Sequence, residues 1–97
     1  VPRPPRLSPD AVADALTGLP LWSGGADGLR RTVELPGFRD AVAAIVAIAD
    51  VAEELDHHPD VDLRYRTLHL ALVSHSEGGV TELDLELARR IDALLPT

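Results

Sequence analysis

The sequence predicts an α+β fold: a two-layer α-β-β-α-β-β-α arrangement with a four-stranded antiparallel sheet and helices on one face. Three observations carry this expectation. Apolar residues recur at helical spacing in three segments. Between those segments lie two pairs of strand-like stretches joined by short turns, the pattern of hairpins and so of antiparallel pairing. Amphipathic helices must also bury their apolar stripes, and a sheet face is the surface available to them.

Ser8-Pro9 reads as an N-cap followed by proline at the first helical position. Ala11, Val12, Ala15, Leu16 and Leu19 share a face, and Gly18 and Pro20 stop the chain, so a first helix is expected over 9–18. A short strand near 20–23, a Gly-rich loop and a strand over 29–35 follow. In the second strand Leu29, Arg31, Val33 and Leu35 alternate with Arg30, Thr32 and Glu34. Pro36-Gly37 breaks it. From Phe38 to Asp56 the period is helical: Phe38, Val42, Ile45, Ala49 and Ala52 form a seam that Ala41, Ile48 and Leu55 widen. That stripe is wide enough for a sheet and for a second surface, such as a neighbouring subunit. Pro59 disfavours helical geometry at His58 and ends the helix. Strands are expected over 61–65 and 68–75 with a turn at Arg66-Thr67, with Leu68, Leu70 and Leu72 on one face. After a Gly-containing loop, Thr81 caps a last helix with Asp84 at the capping-box position. Leu83, Leu87, Ile91, Leu94 and Leu95 are its expected core face.

Composition narrows the function classes. The 97 residues make one domain. A chain of this mass is expected to bury roughly 64% of its unfolded surface, enough for a small core. Residues 1–7 are expected to be a flexible Pro-rich arm and 8–97 the folded domain. The absence of cysteine excludes disulfides, thiolate metal sites and cysteine nucleophiles. Sixteen acids against nine Lys and Arg give a net charge of −7, which repels phosphate backbones. The aromatics, Trp22, Phe38 and Tyr65, are too few for a base-stacking platform, so no nucleic-acid partner is expected. The Pro-rich start has no apolar stretch behind its charges, and the run Ala41–Ala49 is too short to span a bilayer. A cytoplasmic location without membrane association is the expectation.

Candidate chemistry collects where the chain turns. His57 and His58 end the long helix, and His75 ends the last strand. Glu53 lies four residues before His57 and shares its helix face if the helix persists that far. Asp84 lies in the first turn of the last helix. Each has a plainer reading: helix-terminal histidines favoured by the dipole, a capping acid, a solvated glutamate. His69, mid-strand with no partner in view, reads as structural. Three histidines can hold zinc, but adjacent His57 and His58 point apart and no His-x-x-x-His pair occurs, so no metal is expected. Neighbours in a strand face opposite ways, which argues against a Ser74–His75 or Ser76–His75 nucleophile pair. Gly78-Gly79 is too little for a phosphate loop.

Taken together, these residues resemble the pterin-4a-carbinolamine dehydratase signature: Glu53-x-x-x-His57-His58-Pro59, then Tyr65, His75 and Asp84. Five residues separate Pro59 from Tyr65, nine separate Tyr65 from His75, and eight separate His75 from Asp84. Ala52–Asp56, the run His75–Thr81, Leu87-Ala88, Ile91-Asp92 and Trp22 also resemble family members, so the likeness spans about residues 20–95. Val33 and Leu35 stand where the family often carries phenylalanine. The resemblance implies the same element order and assembly into homodimers or homotetramers. The implied reaction is dehydration of 4a-hydroxytetrahydropterin to quinonoid dihydropterin in tetrahydrobiopterin recycling, with no metal or organic cofactor. It implies a histidine cluster of His57, His58 and His75, in which His57 and His75 share the acid and base roles and His58 positions the pterin. Glu53 would orient His57, Asp56 and Ser74 would hydrogen-bond the pterin, and Asp84 would support the His75 loop. The competing function is a non-catalytic dehydratase-like module that binds a protein partner, as an assembly factor or dimerisation partner.

Overall fold

The computed structural model describes residues 3–96. The elements are α1 (Pro9–Leu16), β1 (Ser23–Gly25), β2 (Gly28–Glu34), α2 (Phe38–Leu55), β3 (Asp60–Arg64), β4 (Thr67–Leu72), a 3-10 turn (His75–Glu77) and α3 (Glu82–Leu94). The strands form one antiparallel sheet in the order β1-β2-β4-β3. This is the α+β arrangement the sequence predicts.

The register explains the core. Leu29, Arg31 and Val33 of β2 stand opposite Leu72, Leu70 and Leu68 of β4. Because side chains alternate, this row faces inward and packs with Val12, Ala41, Ile48, Leu85, Leu87, Ala88 and Ile91 of the helices. Arg30, Thr32, Asp62 and His69 occupy the other, exposed face. Arg31 sits in the inward row and is 3% exposed. Its Nη1 donates to Asp92 Oδ1 at 2.7 Å, and Trp22 Nε1 donates to the same oxygen at 2.8 Å. That shared carboxylate ties β2 and the segment after α1 to α3, so the buried charge is paired and hydrogen-bonded, as low-dielectric burial requires. On the surface, hydrogen bonding by Glu86 and the nearby Glu54 raise the Arg90 pKa above its ordinary value, linking α3 to α2.

Several boundaries differ from expectation. The first strand lies at 23–25 rather than 20–23. Leu19 closes a turn onto Leu16 at the end of α1 and Trp22 closes the next onto Leu19, and pairing starts only where Ser23–Gly25 meets β2 across a turn at Ala26-Asp27. The β3–β4 turn falls at Tyr65-Arg66, where Tyr65 takes φ 54°. β4 ends at Leu72, because Ser74 leaves the ladder to bridge Gly79. In α3 the core includes Leu85 and Ala88, while Leu94 is exposed. In α2 the buried residues are Ala41, Ile48 and Ala52, and Phe38, Val42 and Val46 stay exposed.

Val1 and Pro2 of the expected Pro-rich arm lie outside the described residues. Its remainder is tied at three points: Leu7 N to Val80 O, Arg6 to Asp27 and Arg3 to Asp56. No helix among the described residues is long and apolar enough to cross a membrane.

Candidate active site

The site is built by three chain reversals. At the first, α2 ends on Asp56, whose backbone is left-handed at φ 50°, ψ 44°. The backbone N–H groups of Asp56 and His57 turn back to the carbonyls of Glu53 and Ala52, at 3.3 and 3.0 Å. This is the usual way an α-helix satisfies its last carbonyls. The reversal takes His57 off the helix face and drives it inward.

The second reversal follows β4. Ser74 and Gly79 pair across the 3-10 turn, and Gly78 closes it at φ 71°. The pinch is tight: a Cβ on Gly79 would lie 2.8 Å from the Ala26 carbonyl oxygen. Glycine is therefore required there, and the turn displays His75 at its tip. The third is the start of α3. Thr81 accepts the Leu83 N–H, and the Asp84 carboxylate accepts the Thr81 N–H at 2.9 Å, which makes a capping box.

These reversals converge. Asp84 is fully buried. Its Oδ2 accepts from Thr81 N and from Ser74 Oγ at 2.9 Å, and its Oδ1 lies 2.6 Å from His57 Nε2. A carboxylate only accepts, so His57 Nε2 carries the proton, and Nδ1 is left for the cleft. The Ser74 hydroxyl spends its proton on Asp84, so the Thr81 hydroxyl, 2.8 Å away, donates to Ser74. No buried side-chain polar atom among the described residues lacks a partner.

Outside this buried network lies a cleft of about 250 Å³. His57, His58, His75, Asp56, Ser74 and Arg3 line it, with Val73, Ser76 and Glu77 at its edge. The three histidines named from sequence thus share one concavity with Asp56 and Ser74. Their partners differ from those expected. Glu53 bonds His58, with Oε2 2.5 Å from Nε2, and not His57. The four-residue spacing assumed a helix reaching His57, and the left-handed Asp56 breaks that geometry. Asp84 holds His57 directly and reaches the His75 loop only through Ser74. Ser74 is 3% exposed with its hydroxyl committed on both sides, so it braces Asp84 and is not free to bond a ligand. Asp56 is exposed and available, and Arg3 Nη2 donates to its carbonyl at 2.8 Å. Tyr65, part of the sequence signature, is 70% exposed at the far end of β3 from the cleft. His69 lies on the open sheet face with Nδ1 3.0 Å from Thr32 Oγ1.

Two contributors were not anticipated. The capping position of Thr81 was legible, but not its hydroxyl's service to Ser74, which depends on the loop folding back. Arg3 had no sequence signal, since nothing local says that the arm crosses the end of α2.

Chemically the cleft holds one buried imidazole with a fixed tautomer, one imidazole held by a carboxylate at the surface, and one on an exposed turn. Such a set can remove a proton at one point of a small polar ring and deliver one at another.

The family model described as pterin 4 alpha carbinolamine dehydratase matches residues 5–94. A Mycolicibacterium smegmatis protein provisionally named pterin-4-alpha-carbinolamine dehydratase is 48% identical over 89 residues, 92% of this chain and 95% of its own. A Mycobacteroides abscessus protein of the same provisional name is 49% identical over 86 residues, covering 89% and 92%. Among solved structures, the transcriptional coactivator/pterin dehydratase from Brucella melitensis superposes with a TM-score of 0.88 at 34% identity, covering 94% of this chain and 99% of that one.

Proposed function

The chain belongs to the pterin-4a-carbinolamine dehydratase family and is a hydro-lyase of that activity, and from this premise we propose how its cleft carries out the dehydration. The reaction breaks the C4a–O bond of 4a-hydroxytetrahydropterin and forms a C4a=N5 double bond. N5 gives up a proton, and the departing hydroxyl takes one and leaves as water. His57 is the base at N5. Asp84 holds its Nε2–H, which presents Nδ1 as an acceptor and stabilises the imidazolium formed when the proton arrives. His75, on the exposed turn at the rim, is the acid that protonates the leaving hydroxyl. His58, anchored by Glu53, positions the pterin together with the Asp56 carboxylate, which accepts from the ring's N–H groups. Histidine suits both proton transfers because its ordinary pKa of about 6.5 lies near working pH. No metal or organic cofactor enters these steps.

The observation that supports this reading is the convergence of His57, His58 and His75 on one cleft with His57 backed by a buried carboxylate. A rapid-mixing assay tests it: 4a-hydroxytetrahydropterin is generated in situ and its dehydration followed by absorbance. Acceleration above the spontaneous rate, lost in the His57→Ala/His58→Ala double variant, is the expected result. Acceleration that survives the double variant would move the chemistry elsewhere.

We further propose that the chain assembles with copies of itself through the exposed flank of α2. Phe38, Val42 and Val46 stand there four residues apart, so they form one apolar stripe outside the core. No residue of the stripe lines the cleft, so a change on the stripe tests assembly apart from catalysis. That stripe is also where a protein partner would dock in the competing, module-type function, but a scaffold alone would not require the Asp84–His57 pair.

A further inference from the structure

The cleft histidines divide the carboxylates around them. His57 has Asp84 and His58 has Glu53, at 2.6 and 2.5 Å. His75 has neither. Its Nε2 lies 4.0 Å from Oδ2 of Asp60, a residue outside both the sequence signature and the site described above. No ion pair joins His75 to the other two carboxylates at the cleft: Glu77 accepts from Ser76, and Asp56 is the carboxylate assigned to the pterin.

We propose that Asp60 is the positioning residue of His75. The assignment rests on the acid role given to His75. Asp60 opens β3 directly after His57-His58-Pro59 and stands opposite Ala71 of β4. His75 follows four residues after Ala71, so the β3–β4 ladder brings the carboxylate to the base of the turn that carries the imidazole. Both side chains are largely exposed, at 79% for His75 and 69% for Asp60. No packing fixes the His75 ring, and its orientation falls to this pair. A small ring rotation closes the gap to hydrogen-bond distance. With Nε2 turned toward Asp60, Nδ1 is the nitrogen presented to the substrate's hydroxyl.

The test is a double-mutant cycle read by steady-state dehydration kinetics, with thermal unfolding midpoints recorded beside it. Asp60→Asn is expected to lower kcat by about two- to fivefold, the scale of an exposed ion pair, with KM changed by less than about twofold. Asp60→Glu should restore most of the loss. In a His75→Gln background, Asp60→Asn should add nothing, because the partner it orients is gone. All midpoints should match wild type, since neither residue is packed. An equal fold-loss from Asp60→Asn in both backgrounds, a change confined to KM, or no rescue by glutamate would overturn the proposal while leaving the role of His75 standing. Wild-type kcat in His75→Gln would remove that role, and the positioning role of Asp60 with it.

Discussion

Asp84 shows how a residue that reads as an ordinary helix cap becomes the anchor of a site. A capping acid needs only the Thr81 N–H; this one also serves Ser74 and His57 while fully buried. Replacing it by asparagine keeps the shape but brings an NH₂ where only acceptors fit, against either a hydroxyl or the His57 N–H. We expect Asp84→Asn to lose roughly 1–3 kcal/mol of stability in urea unfolding, the cost of a mispaired buried polar group. Its kcat should fall by more than tenfold, because the His57 tautomer is no longer enforced. Ser74→Ala separates the two effects. It should lose about 1–2 kcal/mol, since it takes one of the two hydrogen bonds from Asp84 Oδ2 and the acceptor from the Thr81 O–H, but kcat should fall less, because the His57–Asp84 bond survives. At this scale the histidine cluster was legible from residue types and spacing, and the pairing was not. His57 and Glu53 are four apart in sequence, and a single left-handed residue decides that they do not meet.

That residue belongs to the end of an element. Asp56 carries φ 50° because α2 must reverse within a few residues to deliver His57 inward and His58 outward. The left-handed region is costly for residues with a Cβ and free for glycine. Asp56→Gly should therefore raise unfolding stability by up to about 1 kcal/mol. The same change removes a carboxylate from the cleft wall, so KM for the carbinolamine should rise severalfold. Stability and KM would move in opposite senses, as expected where a strained backbone is kept for function. An unchanged KM in the more stable variant would show that Asp56 serves only to turn the chain. Elements themselves were legible where periodicity ran long, as in α2 and β2. They were misplaced where a contact outside the periodic pattern decides the boundary. The turns closed by Leu19 and Trp22, with Trp22 held by Asp92, delay β1, and Ser74 bridging Gly79 ends β4 before His75. Neither contact has a local signal.

At the scale of the whole molecule, the wide stripe on α2 was legible as two surfaces, though not which residues face which. The core took Ala41, Ile48 and Ala52, and left Phe38, Val42 and Val46 at 52, 41 and 59% exposure. Charge sets how such a surface can be used. Each chain carries −7, so two copies repel at long range, and any association must come from short-range apolar burial. Raising ionic strength screens the repulsion without weakening that burial. Wild-type protein should therefore shift toward larger species between low and moderate salt, read by light scattering on a sizing column. Val46→Glu places a carboxylate at the most exposed point of the stripe and would have to be desolvated in any contact there. It should run as the 10.4 kDa chain at both salt concentrations, because screening does not repay desolvation of a buried charge. Its dehydration kcat should stay near wild type, since no residue of the stripe lines the cleft. A Val46→Glu protein that still assembled would place the contact on another surface, and the exposed edges of the sheet at β1 and β3 would be next to test.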